Sequence, residues 1–274
     1  MSKRHRFIIT SVISTSLLIG ATVMPVEWRY RMIVILSLGM GILTAWAIRE
    51  GWKGAARLTT LILPVMFGLG SGLFTFLLPE VVNEVWIWSW GLEIGKIIGW
   101  FMRGGFWVVF MVAVYSLLLT ENIFSVSAIR TIALARAASA VGFLLTLVTG
   151  FFLYNAVWSF RWPFYWNGAM IGLITLGLIL QGLWTAKLEE KLDKNVFLAA
   201  IVLSLAMGQL AMVFSFWPVS VAVGSLIMTT MLYVLLGLYQ QEILKRLFQR
   251  TIWEYVSVGL MVLVVVAVTT RWGG

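Results

Sequence analysis

Side chains that could do acid–base chemistry are few, and their spacing narrows what they can do. Glu80, Glu84 and Glu93 share one aromatic-rich stretch, where neighbouring carboxylates could act as general acid and base on a lipid at a membrane face. His5 is the single histidine and stands in the basic N-terminal tail. Haem ligation between spans, H-E-x-x-H zinc proteolysis and Ser-His proteolysis all need imidazole at depth, so all three are excluded. GLGSG (68–72) is therefore not a protease motif, and Glu189 with Glu190 lacks the histidines that paired glutamates would need. With no cysteine, thiol redox chemistry and thiolate metal ligation are absent too. No phosphate-binding loop is present, so an ATPase would have to be a separate subunit. No cofactor is expected.

A second set of polar residues falls inside the apolar runs: Ser71, Asn155, Gln181, Gln209, Thr44, Thr229 and Thr230. Amides and hydroxyls at such depth make interhelical hydrogen bonds of about 0.6 kcal/mol each. They could also line a solute path beside Pro64, Gly68, Gly70, Ser71 and Gly72. There proline frees a backbone carbonyl and glycine lets a neighbour approach, so a kinked or broken helix is one expectation. Packing through a Gly68/Gly72 pair is the other. No aspartate or glutamate is expected in the middle of a span, the nearest being Glu254, so carboxylate-based proton coupling lacks its parts.

The elements that must position these residues follow from composition. Of 274 residues, 61% are hydrophobic and 11% charged, with a mean hydropathy of +0.97, which defines an integral membrane protein with no room for an ordinary soluble domain. Continuous apolar runs exclude a β-barrel. The expected fold is an all-α bundle forming one membrane domain over 1–274. Its nine spans lie near 7–24, 32–48, 58–78, 104–120, 137–158, 165–184, 196–216, 219–239 and 252–270. MSKRHR before the first run resembles a targeting sequence, but the long apolar run and missing cleavage site make it an uncleaved span.

Charge sets the expected orientation. With the N-terminus cytoplasmic and the C-terminus outside, fourteen of the twenty basic residues face the cytoplasm, as the positive-inside rule requires. The net charge of +9 is therefore assigned to membrane orientation, not to nucleic acid. Eleven of the fifteen tryptophans then fall near the outer face.

WSWGLEIGKIIGWFMRGG (88–105) would erase that bias if it spanned the membrane, and Glu93 and Lys96 would each cost on the order of 2.5 to 3.5 kcal/mol at mid-bilayer. On a helix, Ser89, Glu93, Lys96 and Arg103 lie within about 80° of one another, opposite Trp90, Ile94, Ile97, Ile98 and Phe101. The expectation is an interfacial amphipathic helix near 84–103 on the outer face, with Gly91, Gly95 and Gly99 forming a packing row along its flank.

On the cytoplasmic side, ENIFSVSAIRTIALARAASA (121–140) and YQQEILKRLFQR (239–250) are expected to be amphipathic connectors. Their Arg130, Arg136, Lys245, Arg246 and Arg250 would meet anionic headgroups, each worth about 1 kcal/mol near the surface. Residues 121–160, ENIFSVSAIRTIALARAASAVGFLLTLVTGFFLYNAVWSF, resemble a segment of multi-spanning bacterial membrane proteins with no assigned function. The resemblance implies a bacterial cytoplasmic-membrane protein and carries no catalytic motif. The expected function is a non-enzymatic structural or accessory component that engages membrane lipids or membrane protein partners. The alternatives are a transporter or channel for a lipid-like or small neutral solute, and an outer-face lipid-modifying enzyme.

Overall fold

Hydrocarbon offers the peptide group no partner, so an apolar run of this length must satisfy its own backbone, and a helix does so. In the computed structural model the described residues are 2–49, 54, 56–78, 91–128, 133–189 and 191–270, with the backbone alone for 91–96. Among them are nine α-helices and no strand. The helices are α1 (Lys3–Val23), α2 (Val26–Ile48), α3 (Ala56–Phe74), α4 (Gly91–Ser127), α5 (Ala135–Ser159), α6 (Phe164–Lys187), α7 (Lys194–Phe214), α8 (Val221–Ile243) and α9 (Gln249–Thr269). All nine are long and apolar enough to cross a membrane.

Three expectations about segment boundaries change. The largest change is at α4, one helix of 37 residues, about 55 Å long against roughly 30 Å of hydrocarbon. Residues 91–103 are its first turns. They do not form the separate interfacial helix expected near 84–103, because Gly91, Gly95, Gly99, Gly104 and Gly105, with no proline among them, cost helix stability but leave the hydrogen-bond ladder intact. At the other end, α4 continues through residues 121–127, and α5 begins at Ala135, so most of the expected 121–140 connector is helix. Likewise 239–243 closes α8 and Gln249 opens α9, leaving only a short turn between them.

The helices approach closely where side chains are missing. A Cβ placed on Gly208 of α7 would lie 2.9 Å from the Gly168 carbonyl oxygen of α6, so the two backbones meet directly. In α3, added Cβ atoms would meet Met40 from Gly68 (2.8 Å), Leu153 from Gly70 (3.1 Å) and Ile33 from Gly72 (2.8 Å). These glycines seat α3 between α2 and α5. Aromatic rings fill the same region, with Phe67 stacked on Phe110 of α4 at 5.5 Å and Phe74 on Phe152 of α5 at 4.5 Å. Pro64 lies inside α3 without breaking it, and the Ser37 hydroxyl of α2 donates to the adjoining Val65 carbonyl at 2.8 Å.

Packing is sparse at α9. In α9 only Gly259 and Val266 are buried. This helix rests chiefly on α8, where Tyr255 occupies the space left by Gly237 and its ring lies 5.0 Å from that of Tyr233. Asp193 caps α7 by accepting from the Asn195 amide at 3.0 Å, and it also accepts from Lys187 Nζ at 2.9 Å; the Lys187 bond first, and the amide bond after it, lower the pKa of its carboxyl.

Gly208→Ala should destabilise the protein by about 1–3 kcal/mol in thermal unfolding in detergent, because its methyl meets backbone that cannot give way. Gly104→Ala, where an added Cβ meets nothing within 4 Å, should be neutral or stabilising by up to about 1 kcal/mol. Wild-type melting of Gly208→Ala would show that α6 and α7 are not in backbone contact.

Candidate functional site

The helical repeat that buries one side of α4 runs on past the expected end of the span. Phe110, Val114, Leu117 and Leu118 are buried, and so, three and four residues further at each step, are Glu121, Phe124 and Ser125. Glu121 is thus carried inward by the same stripe that builds the core. It is fully buried. Glu121, expected in a connector, belongs instead to α4, six residues before the helix ends at Ser127.

Opposite it stands Gln181 of α6, six residues before the helix ends at Lys187, or about 9 Å along the axis. Gln181 Nε2 donates to Glu121 Oε1. Glu121 Oε2 and Gln181 Oε1 are both buried and have no hydrogen-bond partner among the described residues. Burying a carboxyl and an amide with one shared bond is costly, and groups left in this state mark places where chemistry or ligand contact competes with packing. Each of these oxygens can still accept a proton or a donor group.

One residue beyond Gln181, the Gly182 carbonyl accepts from Gln240 Nε2 of α8 at 2.8 Å and from the Thr185 hydroxyl at 2.7 Å. Gln240 and Thr185 also line a cleft of about 270 Å³ between the ends of α5, α6 and α8, together with Arg136, Ser139 and Arg246. The close of α8 determines where Arg246 stands. The Lys245 amide bonds the Glu242 carbonyl at 2.9 Å and the Arg246 amide bonds the Gln241 carbonyl at 2.8 Å, while Lys245 takes a left-handed φ of 54°. This is a Schellman closure, which turns the chain back over the helix end. Arg250, by contrast, pairs with Glu254 one turn along α9 at 3.2 Å.

The other anticipated residues are spread through the bundle. The Ser71 hydroxyl bonds its own helix at the Phe67 carbonyl, Asn155 is buried on α5, and Gln209 is exposed in an apolar groove of about 550 Å³ between α6 and α7. No hydrogen bond among the described residues joins these three. Arg103 lines a separate cleft of about 320 Å³ at the opposite end of the bundle, with Arg29, Trp100 and Trp107. Gly99 is buried. Trp90, Arg130, Glu80 and Glu84 lie outside the described residues, as do the side-chain surroundings of Gly91, Glu93, Gly95 and Lys96. No cluster of three metal-ligating side chains occurs among the described residues.

Nine helices among the described residues, each long and apolar enough to cross a membrane, fit a multi-pass helical membrane protein. Within that class the chain belongs to the family described as "Protein of unknown function (DUF5656)", whose model matches residues 10–269. No curated protein and no solved structure matches it.

Gln181→Leu leaves Glu121 without its donor and should lower stability by about 1–3 kcal/mol in thermal unfolding in detergent. Glu121→Leu together with Gln181→Leu removes both partners and should recover most of that loss. A double variant as unstable as the sum of the single variants would disprove the pair.

Proposed function

We propose that the protein is a non-enzymatic structural or accessory component of a bacterial cytoplasmic membrane, engaging lipids and membrane protein partners through its surfaces. The observation that carries this reading is how little of α4 and α9 is covered. The share of each apolar window buried within the chain is 17% for α4 and 11% for α9, against 39% to 50% for the other seven. Helices that bury so little of themselves in their own bundle present Ile97, Phe101, Val108 and Val112 on α4, and Met261, Val264 and Val268 on α9, to whatever surrounds them. The close glycine contacts of α3 also support the reading, because they fill the region where a solute path would have to pass. In this reading the N-terminus is cytoplasmic, the C-terminus lies outside, and Arg136, Lys245 and Arg246 face anionic headgroups.

A second reading, transport of a lipid-like or small neutral solute, is favoured by the Glu121–Gln181 pair alone. A half-satisfied polar pair inside a span is a common device for moving ions or solutes.

Extraction of the protein in native membrane discs, followed by mass spectrometry, separates the two. Accessory function predicts a membrane partner copurifying in fixed ratio and lost when bulky polar residues replace Val264 and Val268. Protein recovered alone, together with solute uptake into liposomes that Gln181→Leu abolishes, would overturn it in favour of transport.

A further inference from the structure

The cleft between α5, α6 and α8 has a composition that selects its occupant. Its neutral donors are already engaged: the Ser139 hydroxyl bonds the Ala135 carbonyl at 2.9 Å, and Thr185 and Gln240 both bond the Gly182 carbonyl. The two guanidinium groups are different. Neither Arg136 nor Arg246 forms an ion pair with a described residue, and no carboxylate is among the described residues lining the cleft. The acidic residues nearest in sequence are placed otherwise: Glu189 is 3.6 Å from Lys187, and Glu242 is exposed on the last turn of α8. Two planar forks, one in the first turn of α5 and one on the turn that follows α8, with no counter-charge among the described residues, suit an anion that offers several oxygens at once.

Size and position narrow the class further. About 270 Å³ is small for a drug-sized metabolite and ample for a phosphate with a short polar substituent. The cleft opens at the ends of three spans, and Ala186, Leu188 and Leu244 supply an apolar wall beside the arginines. A ligand there can hold its phosphate against guanidinium while its glycerol and acyl portions stay among apolar groups. The start of α5 at Ala135, with no side chain capping it, adds the positive end of a helix dipole to the same field.

We propose that this cleft is a binding site for the headgroup phosphate of an anionic phospholipid, held between Arg136 and Arg246. The proposal rests on the reading above that the basic residues at this end of the bundle meet lipid, and it narrows a diffuse attraction to one site. The Schellman closure of α8 gives Lys245 its left-handed backbone and places Arg246 at the cleft.

The test is native mass spectrometry of the full chain, delipidated in mild detergent and titrated with phosphatidylglycerol, with phosphatidylcholine of the same acyl chains, and with inorganic phosphate. One phosphatidylglycerol should be retained in preference to phosphatidylcholine. Arg136→Gln with Arg246→Gln should weaken that retention about tenfold or more. Lys191→Gln with Lys194→Gln removes the same charge from the same end of the bundle and should leave it unchanged. Both arginines are exposed, and unchanged melting of the variants separates lost binding from lost folding. Equal weakening by the two charge-matched pairs would overturn the site while leaving general lipid attraction in place. No preference for phosphatidylglycerol in any form would overturn the site and the lipid reading together. Displacement of the lipid by equimolar inorganic phosphate would assign the cleft to a soluble anion and overturn the lipid assignment.

Discussion

Every polar group carried into these spans has to find a partner inside the protein, and that single requirement organises the rest of the structure. The backbone meets it by forming helices, and most hydroxyls meet it locally. Ser11, Thr15, Thr60, Thr120, Thr146, Thr149, Ser225, Thr229 and Thr230 each donate to the carbonyl four residues earlier. A serine or threonine bonded this way makes no demand on its neighbours, so helices can be brought together by shape alone. Shape is what the glycines supply, letting Met40, Leu153 and Ile33 close on α3 and letting α6 and α7 touch. The Tyr154 hydroxyl and Thr175, 2.7 Å apart, form one of the few buried side-chain pairs that cross between helices.

Against that background, the Glu121–Gln181 pair is not resolved by local bonding, and neither are the buried Thr10, Ser14 and Thr44 hydroxyls, but only the pair carries an ionisable group. It sits one residue from the Gly182 carbonyl, which ties α6 to α8, and Thr185 and Gln240 carry that connection into the arginine-lined cleft. Polar structure that is scattered elsewhere is therefore continuous at this end of the bundle. The opposite end has its own cleft, with Arg29 and Arg103 beside Trp100 and Trp107, but the buried carboxyl is not there. The molecule is thus uneven, with its buried charge-bearing chemistry at one end and thinly covered apolar helices, α4 and α9, at its margin.

Much of the fold is legible in the sequence because length and hydropathy constrain membrane helices so strongly. The centres of all nine spans can be read that way, since each apolar run had one physical outcome. Span ends are harder to read. Charged or polar residues such as Glu121, Arg29 and Arg31 interrupt hydropathy but not helix geometry, so α4 runs on past Thr120 and α2 starts at Val26, just after Pro25. Glu121 shows the cost of trusting charge over period. The spacing from Phe110 through Leu117 and Leu118 to Phe124 was visible, and continuing it would have placed the carboxyl indoors. The partnership of Glu121 with Gln181 was not visible, because two residues 60 apart meet only through the packing of α4 on α6. The cleft was half legible: Arg136 and Arg246 stood out as basic, but their convergence depends on the Schellman turn at Lys245.

Among the described residues the bundle is closed around α3, where Met40, Leu153 and Ile33 fill the space beside its glycines, and its polar clefts lie at its two ends. The chain has no cysteine, so single cysteines can be introduced and probed in membrane vesicles with a water-soluble, impermeant maleimide. Ser139→Cys, in the cleft, should label from one side of the membrane, and Ser71→Cys, buried in α3, should stay unlabelled from both. Labelling of Ser71→Cys at a rate comparable to that of Ser139→Cys would mean that water reaches the centre of the bundle, and would contradict the account.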